Sequence, residues 1–394
     1  MTITRDERSA SRPEVWEALD DVMSSVPAQA DLLAKVVERV SPQAEQTLGS
    51  GMAGIRRVYL VGCGDSYYAA YGAQLAFERL TGIDTIAMEA MEFARYKAPF
   101  IGSESLVIPI SNGGRVMRTI EAAEVAAETG AKVVLLTGRP DSPFGRLGLP
   151  IIDQYVEPDA GSTVINSLGL VNYMASFTSV VLMGSALGSG LGAASDAYRS
   201  AITAGLVETP EAIRATVDRH LPTLRNWVKD HSLESFFILG AGPAFGAAQF
   251  VGAKFFEAPQ FAASVQQLEE WAHEQFFTHR AGRQVMIIAP TGPSAKRAAE
   301  ILTGVRRIGG IGIVVSSDPD LLAVADLPLE VPVGKGGEEL TPLASVVPGE
   351  ILAIAYQEAG GRLDDTDPGL RQLQHEVSRK QIGESARVTL SQLG

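Results

Sequence analysis

Apolar positions along this chain fall into two alternating rhythms. Short unbroken hydrophobic runs end in glycine or a small polar residue: RRVYLVGCG (Arg56–Gly64), SLVIPIS (Ser105–Ser111) and AKVVLLTG (Ala131–Gly138). Each predicts a strand buried on both faces. Between them lie stretches with helical spacing, DSYYAAYGAQLAFERLTG and MRTIEAAEVAAETG, and IIDQYVEP predicts a further strand. The second half restates the series. ESFFILGAGPAFGAAQFVGAKFFE parallels the first strand–turn–helix, QVMIIAPTGPSAKRAAEILTGVRRIGG the second, and IGIVVSSD the strand after it. This is a duplication of units of about 150 residues, visible in the order of elements rather than in the letters. Alternating strands and helices predict an α/β fold of two tandem, doubly wound parallel sheets, with ligands at the strand C-terminal ends. The pattern divides the chain into a helical N-terminal extension (1–50), a first domain (51–200), a helical connector (201–232), a second domain (233–360) and a charged tail (361–394).

Composition narrows this picture. A length of 394 residues fits two domains of about 150 residues plus extensions. With 46% apolar and 20% charged residues, the chain can bury large cores. A net charge of −13 without a Lys/Arg stripe argues against a nucleic-acid partner. The single cysteine, Cys63, excludes internal disulfides and a cysteine-built metal site. The polar N-terminus, MTITRDERSASRPEVW, has no apolar signal core, which points to the cytoplasm. Residues 161–195 carry no charge and are long enough to span a bilayer. Asn172, Ser176, Thr178, Ser179 and Ser185 interrupt that stretch and no basic cluster flanks it. The expectation is therefore a helix buried in an α/β core, with no membrane partner.

Two constellations carry candidate chemistry. After the first strand, a Gly-x-Gly turn leads into a helix opened by Asp65 and Ser66; after the next, Ser111, Asn112, Gly113 and Arg115 form a glycine-rich turn before another helix. Backbone N–H groups at such helix N-termini suit an anion, although a plain tight turn has the same letters. Further on, Lys254 and Glu257 stand at i and i+3, and His273 follows sixteen residues after Glu257. The first two share a helix face. Lysine, carboxylate and histidine together suit proton transfer on a carbon framework, and a surface ion pair is the ordinary alternative. His220, His231 and His375 have no partners at ligand spacing, and His279 in FFTHRAG stands outside the pattern, so no metal and no cofactor is indicated.

These motifs resemble the sugar isomerase (SIS) domain family, most closely the isomerase half of glutamine–fructose-6-phosphate amidotransferase, over roughly residues 55 to 390. GCGDSYYAA resembles the family's GCGTSY turn, MEFARYK its Glu-Phe-Arg-Tyr segment, AKFFE its Ala-Leu-Lys-Leu-Lys-Glu helix and EEWAHE its Glu-Leu-Lys-His-Gly-Pro segment. The interval from Glu257 to His273 matches the family's interval between base and ring-opening histidine. The resemblance implies flavodoxin-like SIS domains and a homodimer with shared active sites. It implies Glu257 as the base between C1 and C2, His273 reaching across from a second subunit to open the ring, and Lys254 as the site lysine. Ser66, Asp65, Ser111, Asn112, Gly113 and Arg115 would lie at the sugar's anionic end, Ser162 and Thr163 at its hydroxyls. The tail would fold over the active site, with Arg387 or Lys380 standing for the family's C-terminal lysine. The sequence departs from the family in two ways. No glutaminase half and no N-terminal cysteine nucleophile accompany these residues, so glutamine-dependent amination is not expected. In the family's Ser-x-Ser-Gly-x-Thr loop, Gly113 replaces the second serine, Val116 the threonine, and Arg115 appears between them. Fewer hydroxyl donors plus a planar guanidinium suit a monoanionic sulfonate beside a phosphate. The expected function is a cofactor-independent aldose–ketose isomerase for a hexose bearing an anion at C6, sulfoquinovose or a hexose 6-phosphate. The rivals are a fructosamine-6-phosphate deglycase or aminosugar-phosphate deaminase, a non-catalytic sugar-phosphate-binding module, and a structural interaction protein.

Overall fold

The computed structural model describes residues 13–50, 52–155, 167–278, 280–360 and 368–393. Helix α1 (Pro13–Leu48) forms the N-terminal region. This helix runs unbroken through Pro27 and Pro42. The chain folds as two units interleaved along the sequence. The first comprises 32–157, 172–203 and 366–394, and the second 1–31, 158–171 and 204–365.

In the first unit, β1 (Arg57–Gly62) leads through a glycine turn into α2 (Asp65–Thr81), followed by β2 (Asp84–Glu89), β3 (Ser105–Ile110) and α3 (Met117–Glu128). Short strands β4 (Lys132–Val133), β5 (Leu135–Thr137) and β6 (Ile151–Asp153) complete the sheet. Its order is β2-β1-β3-β5-β6, with β4 also on β3, and the pairings are parallel. Every residue of β3 is buried, as its unbroken apolar run requires. Helix α4 (Leu170–Leu191) has a mean hydropathy of 1.4, long and apolar enough to cross a membrane, yet 78% of that window is buried. Tyr173, Phe177, Val180 and Val181 are sealed in the core, and Gly184 meets the Phe77 ring of α2.

Helix α5 (Asp196–Asp230) leads into the second unit and runs through Pro210 and Pro222. There follow β7 (Phe236–Gly240), α6 (Pro243–Glu257), β8 (Ser264–Gln267), α7 (Leu268–His273), β9 (Gln284–Ile288), α8 (Ala295–Arg307), β10 (Ile311–Ser316), α9 (Pro319–Ala323) and β11 (Leu327–Glu330). The sheet is parallel, in the order β11-β10-β9-β7-β8. Counted from its own first strand, and taking β4 and β5 as one broken strand, each sheet has the order 2-1-3-4-5, the flavodoxin-like winding. Two helices, α10 (Thr341–Ser345) and α11 (Val347–Glu358), close this unit, and α11 is buried along its length. The duplication reaches the backbone angles. The glycine before α2, Gly64, has φ 53° and ψ −131°, and the glycine before α6, Gly242, has φ 55° and ψ −135°.

Helix α12 (Pro368–Gly383) returns the chain to the first unit. Residues 385–390 then run along α3 from its first turn to its last. Arg118 donates to the Ser385 and Ala386 carbonyls, the Val388 N–H reaches buried Glu121, and the Leu390 N–H reaches Glu128.

Candidate active site

In the first unit, the switch point of the sheet lies between β1 and β3, whose chains leave in opposite directions. Two helix N-termini, those of α2 and α3, open there, and neither has a side-chain cap. The dipoles of both helices favour a negative charge at this point. Ser111 ends β3 with a buried hydroxyl that has no hydrogen-bond partner among the described residues. A buried hydroxyl left unsatisfied costs roughly 1–3 kcal/mol, so Ser111 has a hydrogen bond left to give. Gly113 is exposed in the turn, and the Gly114 N–H donates to the Ser111 carbonyl at 3.1 Å. Arg115 is exposed and makes no ion pair among the described residues. Asp65 and Ser66 are the first two residues of α2, both partly buried.

Asn112 has a different environment from the one its sequence position suggests. Its amide donates to Asn172 and accepts from Gln154 at 3.0 Å, and Gln154 also donates to Ser176 at 3.1 Å. This network braces the turn from behind. Cys63, inside the Gly-x-Gly turn, donates to Glu89 at 3.2 Å. Burial, then the Glu89 carboxylate, pushes its thiol up to about 12.

In the second unit, Lys254 lies near the C-terminal end of α6 and is fully buried. Its Nζ donates to Glu257 Oε2 at 2.8 Å and to the Leu168 carbonyl, and sits 4.5 Å from the centre of the Phe250 ring. Glu257 is 43% exposed. The pair is therefore no surface ion pair. An ammonium removed from water holds one oxygen of a carboxylate whose remaining surface faces out, which suits a carboxylate that meets a substrate. Phe250 precedes Lys254 by four residues on one helix face, so that contact was legible in the spacing. The Leu168 carbonyl was not, because it lies 86 residues away. Leu168 (φ 61°) and Gln260 (φ 53°) are the non-glycine residues with positive φ among the described ones. One accepts from Lys254 and the other follows Glu257 by three residues. Backbone strain of this kind, about 1–3 kcal/mol per residue, concentrates at functional sites.

His273 ends α7 and is 67% exposed, with Nε2 3.4 Å from Glu269 Oε1. Arg297 beside Glu269 holds that carboxyl below its ordinary value, so it stays ionised as a partner for the imidazole. Arg387 pairs with Glu124 on α3 at 2.5 Å, and Lys380 is exposed on α12. Ser162, Thr163 and His279 lie outside the described residues. No group of three or more His, Cys, Asp or Glu able to hold a metal occurs among the described residues.

Comparison with known proteins agrees with this fold. Residues 51–180 match the SIS domain model. The glutamine–fructose-6-phosphate aminotransferase [isomerizing] of Thermococcus kodakarensis is 24% identical over 356 residues, covering 90% of this chain and 55% of that protein. The chain thus spans about half the length of the curated relatives it matches. Among solved structures, the C-terminal domain of glucosamine-fructose-6-phosphate aminotransferase from Francisella tularensis superposes with a TM-score of 0.68 at 16% identity, covering 84% of this chain and 96% of that one. A glucosamine-6-phosphate deaminase from Thermotoga maritima superposes at 0.61 with 18% identity, covering 87% and 95%. Residues 51–180 thus match the SIS domain, and the chain is similar to part of the glutamine–fructose-6-phosphate aminotransferases.

Proposed function

We propose that this protein is a cofactor-independent aldose–ketose isomerase acting on a hexose with an anion at C6. The observation that carries the reading is the fully buried Lys254 locked onto a half-exposed Glu257. A lysine is buried at such cost when its charge has a task, and here it fixes one carboxylate oxygen and leaves the other to accept a proton. In this reading the Glu257 carboxylate removes the proton from C2 of the open-chain aldose. The C2–H electrons form the C1=C2 double bond of an enediol, with the carbonyl oxygen gaining a proton. The same carboxyl then delivers a proton to C1 while the O2 hydroxyl gives up its own and C2=O forms. The proton gained at O1 is matched by the one lost from O2, and the ketose results with no net change in atoms or electrons. His273 assists ring opening. The helix N-termini and Ser111 of the first unit suit an anionic group of such a sugar.

The anion itself is the finer part of the proposal. Gly113 and Val116 supply no hydroxyl, Arg115 stands exposed, and Asp65 adds a negative charge to the first turn of α2. Together these favour a monoanionic sulfonate, as in conversion of sulfoquinovose to sulfofructose, over a phosphate dianion. The exposed His273 supports a homodimer in which each copy supplies the other's histidine. The burial of α4 favours a core helix over a membrane span. The second reading is a deglycase or deaminase, favoured by the likeness to a protein named glucosamine-6-phosphate deaminase. Incubation with 6-sulfo- and 6-phospho-hexoses and with fructosamine and glucosamine 6-phosphates, followed by NMR and an ammonia assay, separates them. Ketose from an aldose without ammonia supports the isomerase; ammonia release alone replaces it with the deaminase.

A further inference from the structure

The duplication gives the second unit a cradle of its own, at the switch point between β7 and β9. Its parts match those of the first, save that α6 opens on Pro243, which has no N–H to give. Gly242 has nearly the backbone angles of Gly64, and α6 and α8 both begin there without a side-chain cap. These helices are 15 and 13 residues long, enough for a full end dipole. What differs is what stands in the notch. In the first unit a Cβ added at Gly64 or at Gly113 would meet nothing within 4 Å. In the second unit a Cβ at Gly292, four residues past β9, would lie 2.3 Å from Glu338 Oε1 and 2.8 Å from Oε2, and one at Gly242 would lie 3.8 Å from the same Oε1. One carboxylate therefore rests on both loops of the second cradle. It is delivered by the single-turn helix Gly337–Leu340, entered through Gly337 at φ 61°.

We infer that Glu338 is a tethered anion: its carboxylate occupies the second anion cradle and closes it to external oxyanions. A carboxylate is the side chain that best imitates one edge of a phosphate or sulfonate, with two acceptor oxygens and a negative charge. Its attachment to the chain makes it effectively present at high local concentration, so dilute phosphate does not displace it. The duplicated fold then offers one open oxyanion seat per chain. The second is a latent seat for a tetrahedral oxyanion such as phosphate or sulfate. This inference does not depend on the isomerase reading.

The test works in a background where the first cradle is disabled. Chains carrying Ser111→Ala with Arg115→Ala are compared with chains that add Glu338→Ala or Glu338→Gln. Thermal unfolding is followed with and without inorganic phosphate at constant ionic strength, with chloride as the control and circular dichroism as the check of folding. The double variant is expected to show no phosphate-specific change in Tm. Adding Glu338→Ala is expected to introduce a phosphate-dependent rise of roughly 3 °C at a tenfold excess over Kd. Glu338→Gln, which keeps the side chain's size but not its charge, is expected to show a smaller rise. Folded Glu338 variants whose Tm ignores phosphate would overturn the inference. So would a phosphate response in the double variant equal to that of its Glu338→Ala derivative, since the cradle would then be open already. If the unmodified chain also shows no phosphate response, the first cradle, and with it the anion part of the proposed function, fails separately.

Discussion

At the residue scale the account rests on one ion pair whose two members differ in exposure. Lys254 has no contact with solvent and satisfies its charge with Glu257, a carbonyl and an aromatic face. Replacing it with methionine keeps volume but frees the carboxylate to rotate. Lys254→Met is expected to lower kcat by about 10²-fold with a smaller effect on KM, as for loss of a group that orients a base. A change confined to KM would place the lysine in substrate binding instead. Cys63 provides an independent check on the turn beside it. With its thiol raised to about 12 by burial and by Glu89, it remains protonated through neutral pH. The folded protein at pH 8 is therefore expected to resist iodoacetamide and to be alkylated once denatured. Rapid labelling of the native protein would show the Gly-x-Gly turn to be more open than described.

At the element scale the decisive piece is the turn from β3 into α3. Gly114 has φ 63°, and a Cβ there would lie 1.9 Å from the Ser142 hydroxyl. Gly114→Ala should cost on the order of 2–3 kcal/mol and weaken anion binding, measured by urea unfolding and by KM. Helix α5 supplies a pH test. His220 is buried on it and hydrogen-bonded to the Glu330 carbonyl at 2.7 Å, and burial lowers its pKa from 6.5. Below that value the unfolded chain takes up a proton that the folded chain refuses, so stability falls as pH falls, until the folded imidazole also protonates. His220→Gln is expected to flatten the urea midpoint between pH 7 and pH 5 relative to the parent. How much of this was legible follows from burial. The central strands read as strands because both faces are covered, which leaves unbroken apolar runs. The edge strands β2 and β8 went unread because their half-exposed faces mix polar residues into DTIAME and SVQQ. The i,i+3 spacing gave Lys254 and Glu257, since local geometry sets that contact. The bonds of Asn112 to Gln154 and Asn172 were not legible, because those partners are 42 and 60 residues away in the sequence. The pairing of Arg387 with Glu124 on α3 was not legible either, since the two are far apart in the sequence.

At the scale of the whole molecule, one winding is used twice and the copies have diverged in chemistry. The first unit keeps an open turn with an orphaned serine, and the second carries Glu257, Lys254 and His273 along with a cradle that its own glutamate fills. If His273 serves a second copy, two inactive variants should rescue each other. Mixing unfolded Glu257→Gln and His273→Ala chains and refolding them together is expected to restore about a quarter of the parent activity, because half of the dimers are mixed and each mixed dimer has one intact site. Activity no greater than that of the separate variants would place both residues in one copy. The most direct test of the central claim, proton transfer between C1 and C2 by Glu257, is solvent exchange. The protein is incubated in D₂O with 6-sulfo- or 6-phospho-hexose, and the recovered aldose is examined by NMR. The account predicts deuterium at C2 with the parent protein and loss of that exchange by about 10³-fold in Glu257→Gln. Exchange and isomerisation at the parent rate in Glu257→Gln would contradict it.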